Sequence, residues 1–558
     1  MRRFLSVWAS LLLFLTVGGP IGRAQQSDLP TIESELPIDP VCCNEAKALL
    51  ATLPDLSSLP VRTVRLQIDR KQLFLDNFVL AQVENVKRKL HQPQKYGPVI
   101  RPDQPWEHGS IQIRMGPSWN PQEKLWMIFY CGGGYATSRD GVHWEKPVLG
   151  LRSYKGSKDN NLMIPGTTYV DGSFFDSTGH FNTTIYRILE GDGTTIEPVF
   201  YDSKDPDPKR RYKGFATDKP FGPLYPAVSP DGRKWEVLKT SSVPTQDEFH
   251  LFQDTSRNLY VATVKLTGPH GRSVYLAVSK DFEHWTDSRD CLIFHADKRD
   301  QELGAELVRT HLHNPALRQP TFNRPEEYQT DIYNLPVFAY QGLYVGMPTV
   351  YNHSGNTMNN SDGFSMVELA VSRDLIHWER VGNREKFIPL SPLDGEKNYD
   401  TAQLLAANNP IITDTEIWFY YSGLKWRVHP SFLKTGKDES IPDSSAICLA
   451  KLRLDGFVSL DAGAAEGSVL TKPLIMDGKS LRLNVDAPQG EVRGEILDAE
   501  GKHVLSGFSR EECIPVRGDS LNAELKWKKA EMSSLAGKKV CVRFILRKAS
   551  LYAFWVGR

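Results

Sequence analysis

The strongest constraint on this chain is a short phrase that it repeats. AVSRDLIHW at residues 370–378 recurs as ATSRDGVHW at 136–144, AVSPDGRKW at 227–235 and AVSKDFEHW at 277–285. A worn copy, AKLRLDGFVSL at 450–460, keeps the Asp-Gly turn and loses the Trp. Each copy reads as a strand end, a tight turn and the start of a return strand. Ser and Asp side-chain oxygens accept turn N–H groups, and Gly, where present, suits the left-handed position. The Trp then returns a large apolar plate to pack on neighbouring structure. A hairpin repeated along one chain is the signature of a repeat architecture, here a propeller.

Strand-like runs can be grouped around these hairpins. They predict an all-β chain, a five-bladed β-propeller followed by a C-terminal β-sandwich. Residues 61–466 carry the propeller and 467–558 the sandwich, where short alternating strands continue but the hairpin phrase stops. The run at 72–80, QLFLDNFVL, is a clear apolar strand preceding the first repeat, and it is expected to close the ring on the last blade. Intervals between Trp144, Trp235, Trp285 and Trp378 are uneven because of insertions at 148–193 and 286–330. The second insertion contains a predicted helix at 300–311. Insertions on a rigid scaffold are where binding surfaces tend to be built.

Residues 1–24 combine Arg2 and Arg3, an apolar stretch and small residues before Gln25. They predict a secretory signal peptide and a secreted or periplasmic product. A Pro- and acid-rich leader occupies 25–60, and no later segment approaches the length of a membrane span. Lys plus Arg equals Asp plus Glu at 67 each, which argues against a nucleic-acid partner held by bulk charge. The seven cysteines show no zinc-type spacing. Cys513 and Cys541 are the most plausible disulfide pair. No cofactor is called for, although a structural calcium ion on the axis would suit the architecture.

Asp140, Asp231, Asp281 and Asp374 recur in every hairpin, on the face of the disc away from the inner-strand starts, and so read as architecture. The functional face should carry residues at the starts of the inner strands. Asp247, Asp331 and Asp400 fall there, with Glu107 slightly earlier in its blade and Glu248 beside Asp247. Loops reaching the same face supply Tyr135, Arg272, Asn352, His353, Trp426, Arg427 and His429 as candidate substrate contacts. Carboxylates crowded in a narrow well have a use: repulsion and desolvation raise one pKa while another group stays ionised. Glycosidic cleavage needs that division between an acid and a base or nucleophile.

The phrases LFLDNFVL, ATSRDGVHWEKP, GSKDNN and LRLDGFVSLDAG resemble a group of exported bacterial proteins described as glycosyl-hydrolase-like, of the family 32 type. More broadly, the pattern resembles the invertase/levanase and arabinanase/β-xylosidase glycoside hydrolases. That resemblance implies an exported hydrolase acting on a poly- or oligosaccharide. The chain departs from the invertase-type motifs: no Trp-Met-Asn-Asp, Arg-Asp-Pro and Glu-Cys occur in order. No catalytic role therefore transfers by motif, and Asp76 in LFLDN is only a weak nucleophile candidate. Two readings stand beside the hydrolase. One is a non-catalytic carbohydrate- or protein-binding propeller. The other is a sialidase-like protein, which needs an arginine cluster that Arg114, Arg272 and Arg427 alone could form.

Overall fold

A computed structural model describes residues 43–50, 63–131, 133–163, 167–168, 187–188, 195–217, 223–357, 360–435 and 441–558. The expected signal peptide and most of the leader lie outside these residues. The described chain is mostly β, with a propeller-like arrangement of four blades. Three four-stranded antiparallel sheets share one plan. The first runs Thr195–Tyr201, Tyr212–Thr217, Tyr225–Ser229 and Glu236–Val237. The second runs Phe249–Asp254, Leu259–Gly268, Gly271–Ser279 and Leu292–Phe294. The third runs Val337–Tyr340, Leu343–Gly346, Ala370–Ser372 and Trp378–Arg380. A fourth sheet pairs Ser118–Asn120, Leu125–Tyr130 and Gly134–Ser138, with Glu145 bridging to Thr137.

The repeated hairpin joins the outer strands in each of these sheets, and its chemistry is the same each time. Ser138 Oγ accepts from the Gly141 N–H at 2.8 Å, and Asp140 Oδ1 accepts from the Val142 and His143 N–H groups, each at 2.8 Å. The Trp144 indole donates back to the Gly141 carbonyl at 3.2 Å. Ser372, Asp374 and Trp378 repeat the scheme. The residue after the Asp is left-handed in all four copies: Gly141 at φ 75°, Gly232 at 72°, Phe282 at 66° and Leu375 at 73°. Two copies thus put a bulky residue where glycine costs least. Phe282 and Leu375 are both fully buried, so burial offsets the backbone cost.

An eight-stranded sheet supplies the remaining blade-like strands. Gln329–Asn334, Thr349–Asn356 and Ser361–Val367, which flank the strands of the third sheet in sequence, pair with one another here. A single parallel pair, Ser365 with Gln403, joins them to Gln403–Ala406, Glu416–Leu424, Ser445–Arg453 and finally Gln94–Ile100. The N-terminal strand on this sheet is therefore Gln94–Ile100 and not the expected 72–80. Residues 72–80 are mostly turn. Gln72–Leu73 pairs with Ala549–Gly557, and Leu80–Glu84 pairs with Gly467–Thr471. Leu73, Phe74, Leu75, Val79 and Leu80 are buried in one core with residues of the C-terminal strands.

A twelve-stranded sheet assembly takes up the C-terminal residues. It recruits Val64–Leu66 and Lys87–Leu90 as well, together with Val458–Ala462 from the worn fifth copy. The predicted helix spans Lys298–Leu312, with an Asp297/Asp300 capping box. Among the described residues a disulfide joins Cys43 to Cys291, which corrects the expected Cys513–Cys541 pair. Those two thiols are free and buried. Cys513 Sγ accepts from the Gly494 N–H and Cys541 Sγ donates to the Ala499 carbonyl, so the two side chains serve separate sites.

Candidate functional site

Paired strands set the site. Asp331 and Tyr333 project from Gln329–Asn334, and Asp331 is the register partner of Tyr351 on Thr349–Asn356. Side chains two apart on a strand share a face, so Asp331, Tyr333, Tyr351 and His353 form one polar face. The opposite face, with Thr330, Ile332 and Asn352, packs under the helix Lys298–Leu312. There Gly304 lies so close that a Cβ would run into Thr330 Oγ1. Asn352 Oδ1 accepts from Thr330 at 3.2 Å on this side, away from the other candidates.

The neighbouring sheet brings cations to the polar face from the two sides of one hairpin. Lys265, on the strand Leu259–Gly268, lies 4.1 Å from the Tyr333 ring centroid and is ion-paired with Asp247. Arg272, just past the turn, holds Asp331 Oδ2 at 2.9 Å, and His353 Nε2 lies 3.1 Å from the same oxygen. The Arg272 guanidinium lies 5.4 Å from the centroids of both Tyr333 and Tyr351. Arg427 approaches the same two rings at 5.7 and 5.5 Å. Beside Asp247, Glu248 is ion-paired with Arg114, whose Nε also lies 3.7 Å from Glu197 Oε2. His250, on the strand Phe249–Asp254 that follows, contacts the Arg114 carbonyl through Nδ1 at 2.6 Å.

The electrostatics run opposite to the crowded-carboxylate expectation. Burial alone would push the Asp331 carboxyl up, but the His353 hydrogen bond and the Arg272 charge hold it below the usual carboxylate range. Asp247 behaves likewise: burial raises it, and Lys265 more than reverses the effect. Each acid meets a cation before it meets another acid. Burial pushes His250 down to about 4, which keeps it neutral. Asp331 is only 2% exposed, and while Oδ2 is clamped, Oδ1 has no hydrogen-bond partner among the described residues. Asp247 is the most open acid of the group, with 38% of its side chain accessible.

The other sequence candidates lie elsewhere. Asp400 is held by Lys95 at 2.6 Å and Tyr421 at 3.0 Å, and so ties the Gln94–Ile100 strand to its neighbours. Glu107 accepts from Tyr130 at 2.6 Å and pairs with Lys146 at 2.7 Å. Tyr135 is buried with Met127, Met163 and Tyr212. Trp426 carries the Arg318 guanidinium 3.9 Å from its ring centroid, and His429 meets its edge. Asp76 clamps Arg373 of the 370–378 hairpin at 2.7 and 3.1 Å. Sequence reasoning passed over Lys265, Tyr333, Tyr351 and Glu197. The signal for the tyrosines was present in the alternations Asp331-x-Tyr333 and Tyr351-x-His353.

Among the described residues no group of three or more His, Cys, Asp or Glu side chains is arranged to hold a metal ion. No described helix is long and apolar enough to cross a membrane. A surface cavity of about 580 Å³ opens by His91, Arg453 and Tyr552, outside the charged cluster.

No family model and no curated protein matches the chain. Solved structures similar to it include the following three. One is an N-acetylgalactosamine deacetylase from F. plautii in complex with blood group B trisaccharide. It shows 14% identity and a TM-score of 0.35, covering 67% of this chain and 97% of that one. Another is a family 32 β-fructofuranosidase from Bombyx mori, with 12% identity and a TM-score of 0.34, covering 83% and 94%. A third is a glycosyl hydrolase from Bacteroides ovatus, with 14% identity and a TM-score of 0.30, covering 65% and 97%.

Proposed function

We propose that this chain is an exported glycoside hydrolase. Its well is the polar face of Asp331, Tyr333, Tyr351 and His353 with the cations around it. We read the whole as a five-bladed propeller, closed by Gln94–Ile100, with a C-terminal β-sandwich and a secretory leader over residues 1–24. The observation that carries the functional reading is Asp331. It is a buried carboxylate kept ionised by Arg272 and His353, yet one oxygen has no described partner. A buried unbonded carboxylate oxygen costs several kcal/mol, so such a group is expected to meet a ligand hydroxyl or water. In hydrolysis that oxygen acts as base or nucleophile at the sugar. Glu197 shares Arg114 with Glu248 and has the longest ion-pair contact of the four acids, 3.7 Å, and on that ground we assign it the proton-donor role.

A second reading, a glycan-binding propeller without turnover, draws support from the ion pairs that engage Asp247, Glu248 and Asp331. One experiment separates the two. Purified wild type, Asp331→Asn and Glu197→Gln are assayed for released reducing ends on plant, algal and bacterial glycans, with melting measured alongside. The expected result is cleavage by the wild type and a loss of about 10²–10⁴-fold in each folded variant. Equal turnover by all three would move the chemistry off these residues. Binding without cleavage by the wild type would select the second reading.

A further inference from the structure

The cations of the well are matched unequally. Arg272 is paired with Asp331, Lys265 with Asp247, and Arg114 with both Glu248 and Glu197. Arg427 has no carboxylate within ion-pair distance among the described residues. Its Nη2 donates to the Asn360 side-chain oxygen at 2.8 Å and its Nε to the Ser361 carbonyl at 3.3 Å, both neutral acceptors. Asp362 is the acid it feels electrostatically, but the two Asp362 oxygens accept from the Phe322 and Gly363 N–H groups at 2.8 Å each. A guanidinium does not give up its proton in a protein, so the Arg427 charge is permanent. It lies against the same two tyrosine rings as Arg272, and Arg272 leads directly to Asp331 and its unpartnered Oδ1.

We propose that the ligand of this well is a sugar carrying an anionic group, carboxylate or sulfate, whose negative charge pairs with Arg427 while a hydroxyl meets Asp331 Oδ1. This deepens the reading given under Proposed function and rests on the same well. Two features favour an anion over a neutral sugar. Tyr333 and Tyr351 already carry guanidinium groups, so they are poorly placed to serve as a sugar-stacking platform. A guanidinium whose hydrogen-bond partners are neutral keeps its charge available for carboxylate or sulfate oxygens.

The test reads binding rather than turnover, so its failure is separate from failure of the hydrolase reading. Calorimetry compares the wild type on oligogalacturonate, oligoguluronate and oligoglucuronate with the carboxyl-reduced form of each. A sulfated galactan oligosaccharide is compared with its desulfated form, which distinguishes the two sources of charge. The expected result is that at least one anionic member binds about 10-fold or more tightly than its neutral counterpart. Arg427→Gln should abolish that preference, and Arg427→Lys, which keeps the charge without the fork, should retain part of it. Equal or tighter binding of the neutral forms, or no binding by any member, overturns the proposal. If Arg427→Gln fails to fold, the wild-type comparison still decides.

Discussion

Around Asp331 the chain tolerates a density of buried charge that only pairing makes affordable, and the neutral member of that cluster, His250, gives a clean test. Burial depresses its folded pKa to about 4, while the unfolded chain has the ordinary value near 6.5. Between those values the unfolded chain binds a proton that the native chain does not. Stability therefore falls as pH drops from about 6.5 toward about 4, by on the order of 3 kcal/mol from this group. Asp247 and Asp331 act in a lower window. Their folded pKa values are depressed, so their contribution is complete above the unfolded value near 4 and is lost as pH falls through the folded values. Urea melts across pH 4–6.5 should give a flatter stability profile for His250→Asn than for the wild type. Identical slopes would contradict the assignment. The site was partly legible at this scale. Asp247, Asp331, Arg272, His353 and Arg427 were named from their positions at strand starts and loops. Asp400 and Glu107 sit at similar positions yet are taken up by Lys95 and Lys146, because strand position says nothing about which cation packs alongside.

Among the elements, the hairpin was the most readable feature because its hydrogen bonds close within a few residues. The N-terminal strand of the eight-stranded sheet was not readable. QLFLDNFVL has the stronger apolar signal, whereas QKYGPVI is polar and carries Gly97 and Pro98. An outermost strand tolerates such residues, since proline forfeits little where no further ladder must form. Partner choice came from distant pairing with Ser445–Arg453, which no local pattern encodes. The hairpin also makes a quantitative claim at Phe282. Its left-handed backbone costs about 1–2 kcal/mol, while losing a buried phenylalanine costs about 3–5 kcal/mol. The ring packs against Tyr260 and Trp285 at 5.2 and 5.7 Å between centroids. Phe282→Gly should relieve the backbone and still destabilise by about 2 kcal/mol in a urea melt. Unchanged or increased stability would show that backbone strain outweighs the packing.

Across the whole molecule, the expected boundary at residue 467 meets a core that does not stop there. Phe338, Phe387, Phe419 and Phe457 from the sheets before it share one buried cluster with Leu483, Phe544 and Phe554 from beyond it. The worn fifth copy of the hairpin lies at the junction. Its Asp455 accepts from Tyr340 at 2.6 Å, from Lys71 at 2.6 Å and from Asn484 at 2.9 Å, joining three distant stretches of chain through one buried carboxylate. Truncation at residue 466 would leave that carboxylate without Asn484. It would also strip the pairing partners from Val64–Leu66, Gln72–Leu73 and Leu80–Glu84. A buried carboxylate that loses a hydrogen-bond donor is destabilised, and the exposed apolar face adds to the cost. The full chain should therefore unfold in urea as one cooperative transition by tryptophan fluorescence and circular dichroism together. The truncated chain should bind a hydrophobic dye or aggregate. Two well-separated transitions in the full chain, or a soluble truncated chain with an unchanged melt, would show instead that the C-terminal strands are an independent unit.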